Sequence, residues 1–348
     1  MRNKKNKIKV GISVGDLNGI GPEVILKTFQ NSMMFDFCTP IVFASTKSLS
    51  YHRKLLQLKV NLHGIVKIDN IIPSKLNIMN LWKQPIPMNL GKPSPEIGKY
   101  AIESFVKAVE SLKRGDIDVL VTAPFDKKTV QSDEFDFPGH TDYLAKQLEG
   151  DPLIFMVSDK LKIGLVTDHV PLKYVVSQVT AEKIRKKVSI MSLSLRQDFG
   201  IEKPKIAVLG LNPHCGDGGI IGKEDDEIIR PTIELLKEEG HLIFGPYASD
   251  GFFGSGLYEK FDGVLAMYHD QGLIPFKTLS FGKGVNYTAG LSKIRTSPGH
   301  GTAYDIAGKG IANPESFREA VFKAIDIFRK RKEYQELTSN PLLPKQNS

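Results

Sequence analysis

Three histidines carry the first chemical signal in this sequence. His169, His214 and His269 each follow an apolar run and sit in a short loop of glycine, proline or acid: Val166-Thr-Asp-His169-Val-Pro, Leu211-Asn-Pro-His214-Cys-Gly-Asp and Ala266-Met-Tyr-His269-Asp-Gln-Gly. Imidazoles suit zinc and other divalent first-row ions, and three of them leave a coordination position open for substrate, as catalytic metal centres require. The intervals between them are far longer than in compact ligand motifs such as HExxH, so the pattern also accommodates three unrelated loop histidines.

A second group suits an anion. Lys277 in Pro-Phe-Lys-Thr, Asn286 in Gly-Val-Asn-Tyr and Arg295 in Lys-Ile-Arg-Thr offer a point charge, an amide and a planar fork for phosphate or carboxylate, all within a short turn-rich stretch; solvated surface cations are the plainer reading. Pro138-Gly-His140-Thr141 places an imidazole and a hydroxyl at the start of a helix, where backbone N–H groups also favour anions, although Thr141 could serve only as an N-cap. The run Gly15-Asp-Leu-Asn-Gly19-Ile-Gly21-Pro-Glu23 joins a strand to a helix. It could cradle a nucleotide or merely shape a tight turn, and it is neither GxGxxG nor a P-loop. The stretch Ser297–Pro314, with Gly299, His300, Gly301, Asp305 and Asn313, is a glycine-rich loop too long for simple connection. His52, His63 and His241 lack such surroundings and read as surface residues.

These groups need elements to hold them. Apolar β-branched runs at 7–14, 40–44, 118–122, 161–167, 205–211 and 263–268 predict strands, and their unbroken hydrophobicity predicts burial on both faces, as in a parallel sheet covered by helices. Helices are predicted at 22–29, from Ser94-Pro95 to Gly115, and at 181–195, 225–239 and 314–329, with a frayed polar tail after Lys330. The fold class is α/β, and each of the three histidines then follows the carboxyl end of a strand, the edge where open α/β sheets bind ligands.

Composition narrows the class. The chain has 348 residues, 41% hydrophobic and 25% charged, within the range of ordered globular proteins. Its net charge of +8 is concentrated near the ends, in Arg2, Lys4, Lys5, Lys7, Lys9, Arg329, Lys330, Arg331 and Lys332. Solvated tails explain that better than a nucleic-acid surface. Cys38 and Cys215 form no disulfide framework, and no stretch reads as a signal peptide or membrane span, so a cytoplasmic protein is expected.

Taken together, GDLNGIGPE, PGHTDYLA, TDHVPL, LNPHCGDGG, MYHDQGLIPFK and SPGHGTAYDIAGKGIANP resemble, in order from residue 15 to residue 314, the 4-hydroxythreonine-4-phosphate dehydrogenase family of vitamin B6 synthesis. The first and last also resemble isocitrate and isopropylmalate dehydrogenases, which bind NAD(P) without the usual fingerprint. The resemblance implies an isocitrate/isopropylmalate dehydrogenase-like fold of two α/β domains with a cleft between them, divided here at 1–139 plus 302–348 and 140–301. It implies a homodimer with an active site shared across the interface, and a divalent metal (Zn, Mg, Co or Mn) on His169, His214 and His269. His140, Thr141, Lys277, Asn286 and Arg295 would hold the substrate. Gly299, His300, Gly301, Asp305 and Asn313 would contribute to the site for NAD, with NADP as the alternative. Departures from the family pattern are Leu17-Asn18, Asp142 and Asp168; the last stands beside a metal position, where it could alter the second shell.

The activity so implied is oxidation of 4-phosphohydroxy-L-threonine at C3, then decarboxylation to 3-amino-2-oxopropyl phosphate. Asp250, His140, Lys162 and a water all stand as candidates for the general base. Two rivals remain: a dehydrogenase of threonate or erythronate 4-phosphate, which needs the same metal and phosphate contacts, and a non-catalytic metal- or nucleotide-binding module.

Overall fold

The computed structural model describes residues 7–132 and 135–340; Arg2, Lys4, Lys5 and the tail beyond residue 340 lie outside the described residues. The chain divides into two compact units. One contains the residues up to Pro152, Met156–Ser158 and Ser280–Ile325, and the other contains Leu153–Phe155, Asp159–Leu279 and the residues from Asp326 onward. This differs from a division at 140 and 302. The helix His140–Gln147 sets the rings of His140 and Tyr143 against Phe105, and the chain around 285–298 pairs into the first sheet, so both stay with the first unit.

The strands are β1 (Ile8–Ser13), β2 (Cys38–Ala44), β3 (Leu62–Ile65), β4 (Leu76–Asn80), β5 (Val119–Thr122), β6 (Gly150–Val157), β7 (Lys162–Leu165), β8 (Lys205–Leu209), β9 (Leu242–Tyr247), β10 (Gly263–Ala266), β11 (Val285–Leu291) and β12 (Arg295–Pro298). In the first unit they run β3-β4-β2-β1-β5-β12-β11, and in the second β7-β10-β8-β9, while β6 has residues in both. Within these two runs the pairs are parallel except β11 with β12. Each run expected from its apolar sequence contains a strand. β2 and β5 are buried along their whole length, as strands covered on both faces must be.

Helix Pro95–Arg114 has the expected form. Ile97, Ala101, Phe105, Val109 and Leu112 fall on one buried face, and Gly115 ends the helix in the left-handed conformation at φ 79°. Ser94 occupies the N-cap position, but its hydroxyl makes no capping bond. Phe105 packs with Phe125, Phe135 and Tyr143 in the first unit's core, a burial that stabilises by about 2–3 kcal/mol. Ser104, one residue earlier, accepts from Val14 N and donates to Phe43 O, tying the helix to the ends of β1 and β2.

Two expectations fail on burial. The last helix runs Glu315–Thr338 rather than fraying after Lys330, because Arg331 is buried and donates from Nε to Asp198 Oδ1 at 2.7 Å. Removing one member of a buried pair strands the other charge, so Arg331→Met should cost about 3–5 kcal/mol in urea unfolding. Lys332→Ala, whose 3.9 Å pair with Glu336 is exposed, should leave the midpoint nearly unchanged. Equal small shifts would show that the pair is not what holds the helix end.

His52, expected at the surface, is 2% exposed on helix Thr46–Leu55, where its ring hydrogen-bonds the backbone of Leu17 and Nε2 has no partner. Burial pulls its pKa down to about 4. The unfolded chain therefore binds the proton more readily, and the stability that neutral His52 contributes is present above about pH 6.5 and lost as pH falls towards 4. A shift of this size corresponds to about 3 kcal/mol. His52→Asn should flatten the acid limb of the stability curve by that order, measured by urea midpoints at neutral and mildly acidic pH; an unchanged slope would refute it.

Among the described residues, no helix is long and apolar enough to cross a membrane.

Candidate active site

In the second unit the three histidines lie beyond the carboxyl ends of neighbouring strands: His169 after β7, His269 after β10 and His214 after β8. The rings of His169 and His269 are 5.7 Å apart between centroids, close enough to share one ion. His269 Nδ1 lies 2.8 Å from Asp270 Oδ1, which orients the ring and leaves Nε2 as its remaining ligand atom. His214 is exposed on a loop whose residues His214, Cys215 and Asp217 all have positive φ, 53°, 54° and 45°. Left-handed backbone at non-glycine residues costs about 1–2 kcal/mol apiece and persists where surroundings enforce it. Among the described residues no group of three or more His, Cys, Asp or Glu side chains stands close enough to hold a metal. The structure thus pairs two of the imidazoles and places the third at the adjacent strand end, a donor set of a type that suits a divalent metal.

What enforces the strained loop is a buried carboxylate. Asp225, fully buried, accepts from Leu211 N at 2.8 Å and from Asn212 N and Nδ2 at 3.0 Å each. Gln271 braces the next strand end: it accepts from Met267 N at 2.6 Å and donates to Gly210 O at 2.6 Å and Ser249 Oγ at 2.8 Å. Sequence reasoning missed both residues. Gln271 stands two places after His269 and was within reach, whereas nothing local marks Asp225 as the partner of backbone groups 13 and 14 positions before it. Burial and then the charge of Asp225 push the Cys215 thiol up to about 11, which disfavours its thiolate. Lys162 begins β7, at the end of the strand opposite His169, with its ammonium 5.6 Å from the Phe199 ring centroid. That placement removes it from the candidates for a base near the histidines. Asp250 is exposed on helix Ser249–Gly254 of the same unit.

Lys277 is also in the second unit, exposed on helix His269–Ser280, so it shares no turn-rich segment with Asn286 and Arg295. Those two stand on the antiparallel strands β11 and β12 of the first unit. Arg295 is 3% exposed. Its Nε and Nη2 donate to Thr122 Oγ1 at 3.0 and 2.6 Å, and its Nη1 to Thr288 Oγ1 at 3.2 Å. Among the described residues no carboxylate pairs with it. Burial lowers its pKa to about 9, so it remains a cation at neutral pH. A buried guanidinium bonded to hydroxyls keeps its full charge, which is the chemistry that suits an anion.

The same unit holds two unsatisfied polar atoms. Asn286 Oδ1 and His140 Nε2 are buried without hydrogen-bond partners. His140 stacks on Phe125 with centroids 3.7 Å apart, edge-on to Phe105. Burial first, then the positive charges of Arg295 and Lys127, hold its pKa well below the ordinary histidine value, so the ring is neutral. Gly139 is the N-cap of helix His140–Gln147 and supplies no side-chain cap; Thr141 is the second helical residue, not the cap. Thr122 and Thr288, which aim Arg295, were not anticipated, although a hydroxyl at the end of a buried strand is a signal that could have been used.

The two glycine-rich segments meet in the first unit. Ile20 N donates to Thr302 O at 3.0 Å, Tyr304 OH to Asp16 Oδ2 at 2.6 Å, and Ala312 N to Glu23 Oε1 at 2.9 Å, while Lys27 Nζ reaches Gly310 O and Ala312 O at 2.8 and 2.7 Å. Two glycines are required by this packing. A Cβ on Gly15, at φ 70°, would lie 2.4 Å from Pro124 O, and one on Gly19 would lie 2.9 Å from Thr302 O. Asp16 is fully buried, and that burial raises its pKa despite the bonds from Tyr304 and Asn18. Of the expected cofactor residues, Gly299 and Gly301 are exposed, and His300 Nε2 is buried without a partner. Asp305 is exposed on a short 3₁₀ turn, and Asn313 Oδ1 accepts from Glu315 N at the start of the last helix. Open glycine backbone beside an orphaned imidazole nitrogen suits a polar ligand such as a nucleotide; Asn313 already has a capping role.

Comparison with known proteins gives the relatives of this chain. The pyridoxal phosphate biosynthetic protein PdxA matches residues 36–324. A 4-hydroxythreonine-4-phosphate dehydrogenase of Bacteroides thetaiotaomicron is 48% identical over 97% of this chain and 94% of its own length. An Oceanobacillus iheyensis protein, named provisionally as a D-threonate 4-phosphate dehydrogenase, is 38% identical over 91% of this chain and 97% of its own. Among solved structures, the 4-hydroxythreonine-4-phosphate dehydrogenase of Klebsiella pneumoniae superposes with a TM-score of 0.80 at 30% identity, covering 94% of this chain and 99% of that one. The fold is the isocitrate/isopropylmalate dehydrogenase-like α/β fold expected from the sequence. With the profile match spanning most of its length and relatives aligned from end to end, the chain belongs to the PdxA family of pyridoxal phosphate biosynthetic proteins.

Proposed function

We propose that this protein is a cytoplasmic enzyme that oxidises 4-phosphohydroxy-L-threonine at C3 with NAD⁺, releasing the C1 carboxylate as carbon dioxide and leaving 3-amino-2-oxopropyl phosphate. The observation that carries the reading is Arg295, a buried cation with no carboxylate partner among the described residues, together with the orphaned polar atoms of His140 and Asn286. That pocket suits the substrate's phosphate, and binding this group, which does not itself react, orients C3 and lowers the entropic part of the barrier. Neutral His140 can donate or accept one hydrogen bond there without adding charge. Asn286 can accept one through Oδ1.

His169, His214 and His269 would hold a divalent ion, and Gly299, His300 and Gly301 would face the nicotinamide cofactor. The chemistry these groups supply when bound is polarisation of the C3 oxygen, acceptance of the C3 hydride, and stabilisation of the charge that develops as the carboxylate departs. Asp225 and Gln271 keep the histidine loops at fixed spacing, so little reorganisation is needed when the donors are used. We further propose a homodimer. Leu172, Tyr174 and Val176, on the helix after the His169 loop, are 71%, 50% and 49% exposed, and one chain alone does not close the set of three donors.

A second reading is favoured by the Oceanobacillus relative: oxidation of threonate or erythronate 4-phosphate, in which a C2 hydroxyl replaces the amine. The test is NADH formation by the purified protein with NAD⁺ and a divalent metal, offered 4-phosphohydroxy-L-threonine and D-erythronate 4-phosphate in parallel. Higher kcat/KM on the amino acid supports the first reading, higher kcat/KM on the sugar acid replaces it with the second, and no turnover of either overturns both.

A further inference from the structure

Arg295 cannot neutralise a phosphate monoester by itself. Such a group carries a charge of about −1.5 to −2 near neutral pH, and one buried guanidinium leaves it under-compensated. His140 is held neutral, so within this unit the missing positive charge must come from elsewhere. Lys127 is placed to supply it. It lies in the loop after β5, the strand whose Thr122 aims Arg295. The loop is fixed by Asp126, whose Oδ1 accepts from Lys128 N at 2.9 Å and Thr129 N at 3.0 Å. Lys127 itself has no ion pair or hydrogen bond among the described residues. Its side chain lies over the N-cap of helix His140–Gln147: a Cβ on Gly139 would stand 3.6 Å from Lys127 Cε and 4.0 Å from Nζ, with Asp142 Oδ2 at 3.8 Å from the same point. That helix end has no side-chain cap, and beside it His140 Nε2 is buried and unpartnered.

We infer that Lys127 is a further substrate-binding residue, which with Arg295, His140 and the amino end of helix His140–Gln147 holds the substrate's phosphate; the inference rests on the phosphorylated-substrate reading above. An ammonium is a point charge on a flexible stem, so it can reach in from the exposed loop as the phosphate arrives, whereas Arg295 is already fixed. The nearby Asp142 carboxylate opposes an anion, and an ammonium between it and the phosphate screens that repulsion.

The test uses the full-length enzyme with its metal, and Lys127→Met and Lys127→Arg. Inorganic phosphate binding is measured by calorimetry, and kcat and KM are measured on 4-phosphohydroxy-L-threonine and on unphosphorylated 4-hydroxy-L-threonine. Lys127→Met should weaken phosphate binding and raise KM for the phosphorylated substrate by about tenfold, as loss of one charge-assisted contact does. kcat should stay within about threefold, kcat/KM on the unphosphorylated substrate should be unaltered, and Lys127→Arg should recover most of the loss. Wild-type turnover with Lys127→Met indistinguishable from it would overturn the role of Lys127 alone. A fall in kcat equal for both substrates would also overturn it, by assigning Lys127 to the chemical step. Phosphate binding that depends on Lys127 in a protein that oxidises neither substrate would support the pocket and overturn the reading of function.

Discussion

Replacing His214 with asparagine is expected to lower kcat by roughly a thousandfold or more, the scale on which enzymes lose a principal source of charge stabilisation. The choice of asparagine follows from the backbone. His214 has φ 53°, and asparagine tolerates left-handed geometry better than alanine, so the substitution removes the imidazole while adding little strain. His214 is exposed and the loop is held by Asp225 through Leu211 and Asn212, so the melting temperature should barely move. His214→Ala should show the same kinetic loss with an added stability cost of about 1 kcal/mol from the backbone. Steady-state kinetics and bound metal content, measured together, give the decisive comparison. A kcat within a few-fold of wild type, with metal retained, would remove His214 from the site.

Arg295→Met should raise KM for the phosphorylated substrate by about a hundredfold, since hydrogen bonds to a charged group in a dry site contribute about 1.5–3 kcal/mol each and the guanidinium can make two. kcat should fall much less, because the contact is to a part of the substrate that does not react. Stability is expected to move the other way. A buried cation whose hydrogen-bond partners among the described residues are the hydroxyls of Thr122 and Thr288 is poorly compensated, and an apolar side chain of similar length avoids that desolvation cost. The variant should therefore melt at the same temperature as wild type or higher. A large drop in melting temperature with unchanged KM would identify Arg295 as a structural residue and remove the anion pocket from the mechanism.

Much of this protein was legible in its sequence, and the legible part is local. β1, β2, β5, β7, β8 and β10 announce themselves as short apolar runs because each is buried in the middle of its unit's sheet, and helix Pro95–Arg114 shows its proline start, its buried face and its closing glycine in consecutive residues. The three histidines were singled out because they follow such runs. β3 and β9 were missed because they are sheet edges, where half-exposed residues blur the signal, and β12, Arg-Thr-Ser-Pro, reads as a turn until β5 and β11 pair with it. Lys277 was read with Asn286 and Arg295 because they are near in sequence, yet a helix that continues through Pro275 carries it in the other unit.

Residue type and local position thus determined by themselves which side chains could do chemistry: the imidazoles after apolar runs, the cations of the turn-rich stretch and the glycine-rich loops. Only the tertiary structure decided their state. Arg295 is a buried cation rather than a surface one because β5 and β11 hold it between two threonines, and Asp225 and Gln271 brace strand ends because folding brings them to positions distant in sequence. Burial and the pairing of distant polar groups depend on what packs from elsewhere in the chain, and desolvation then sets the charge and the free valence of each group. No window of neighbouring residues contains that information.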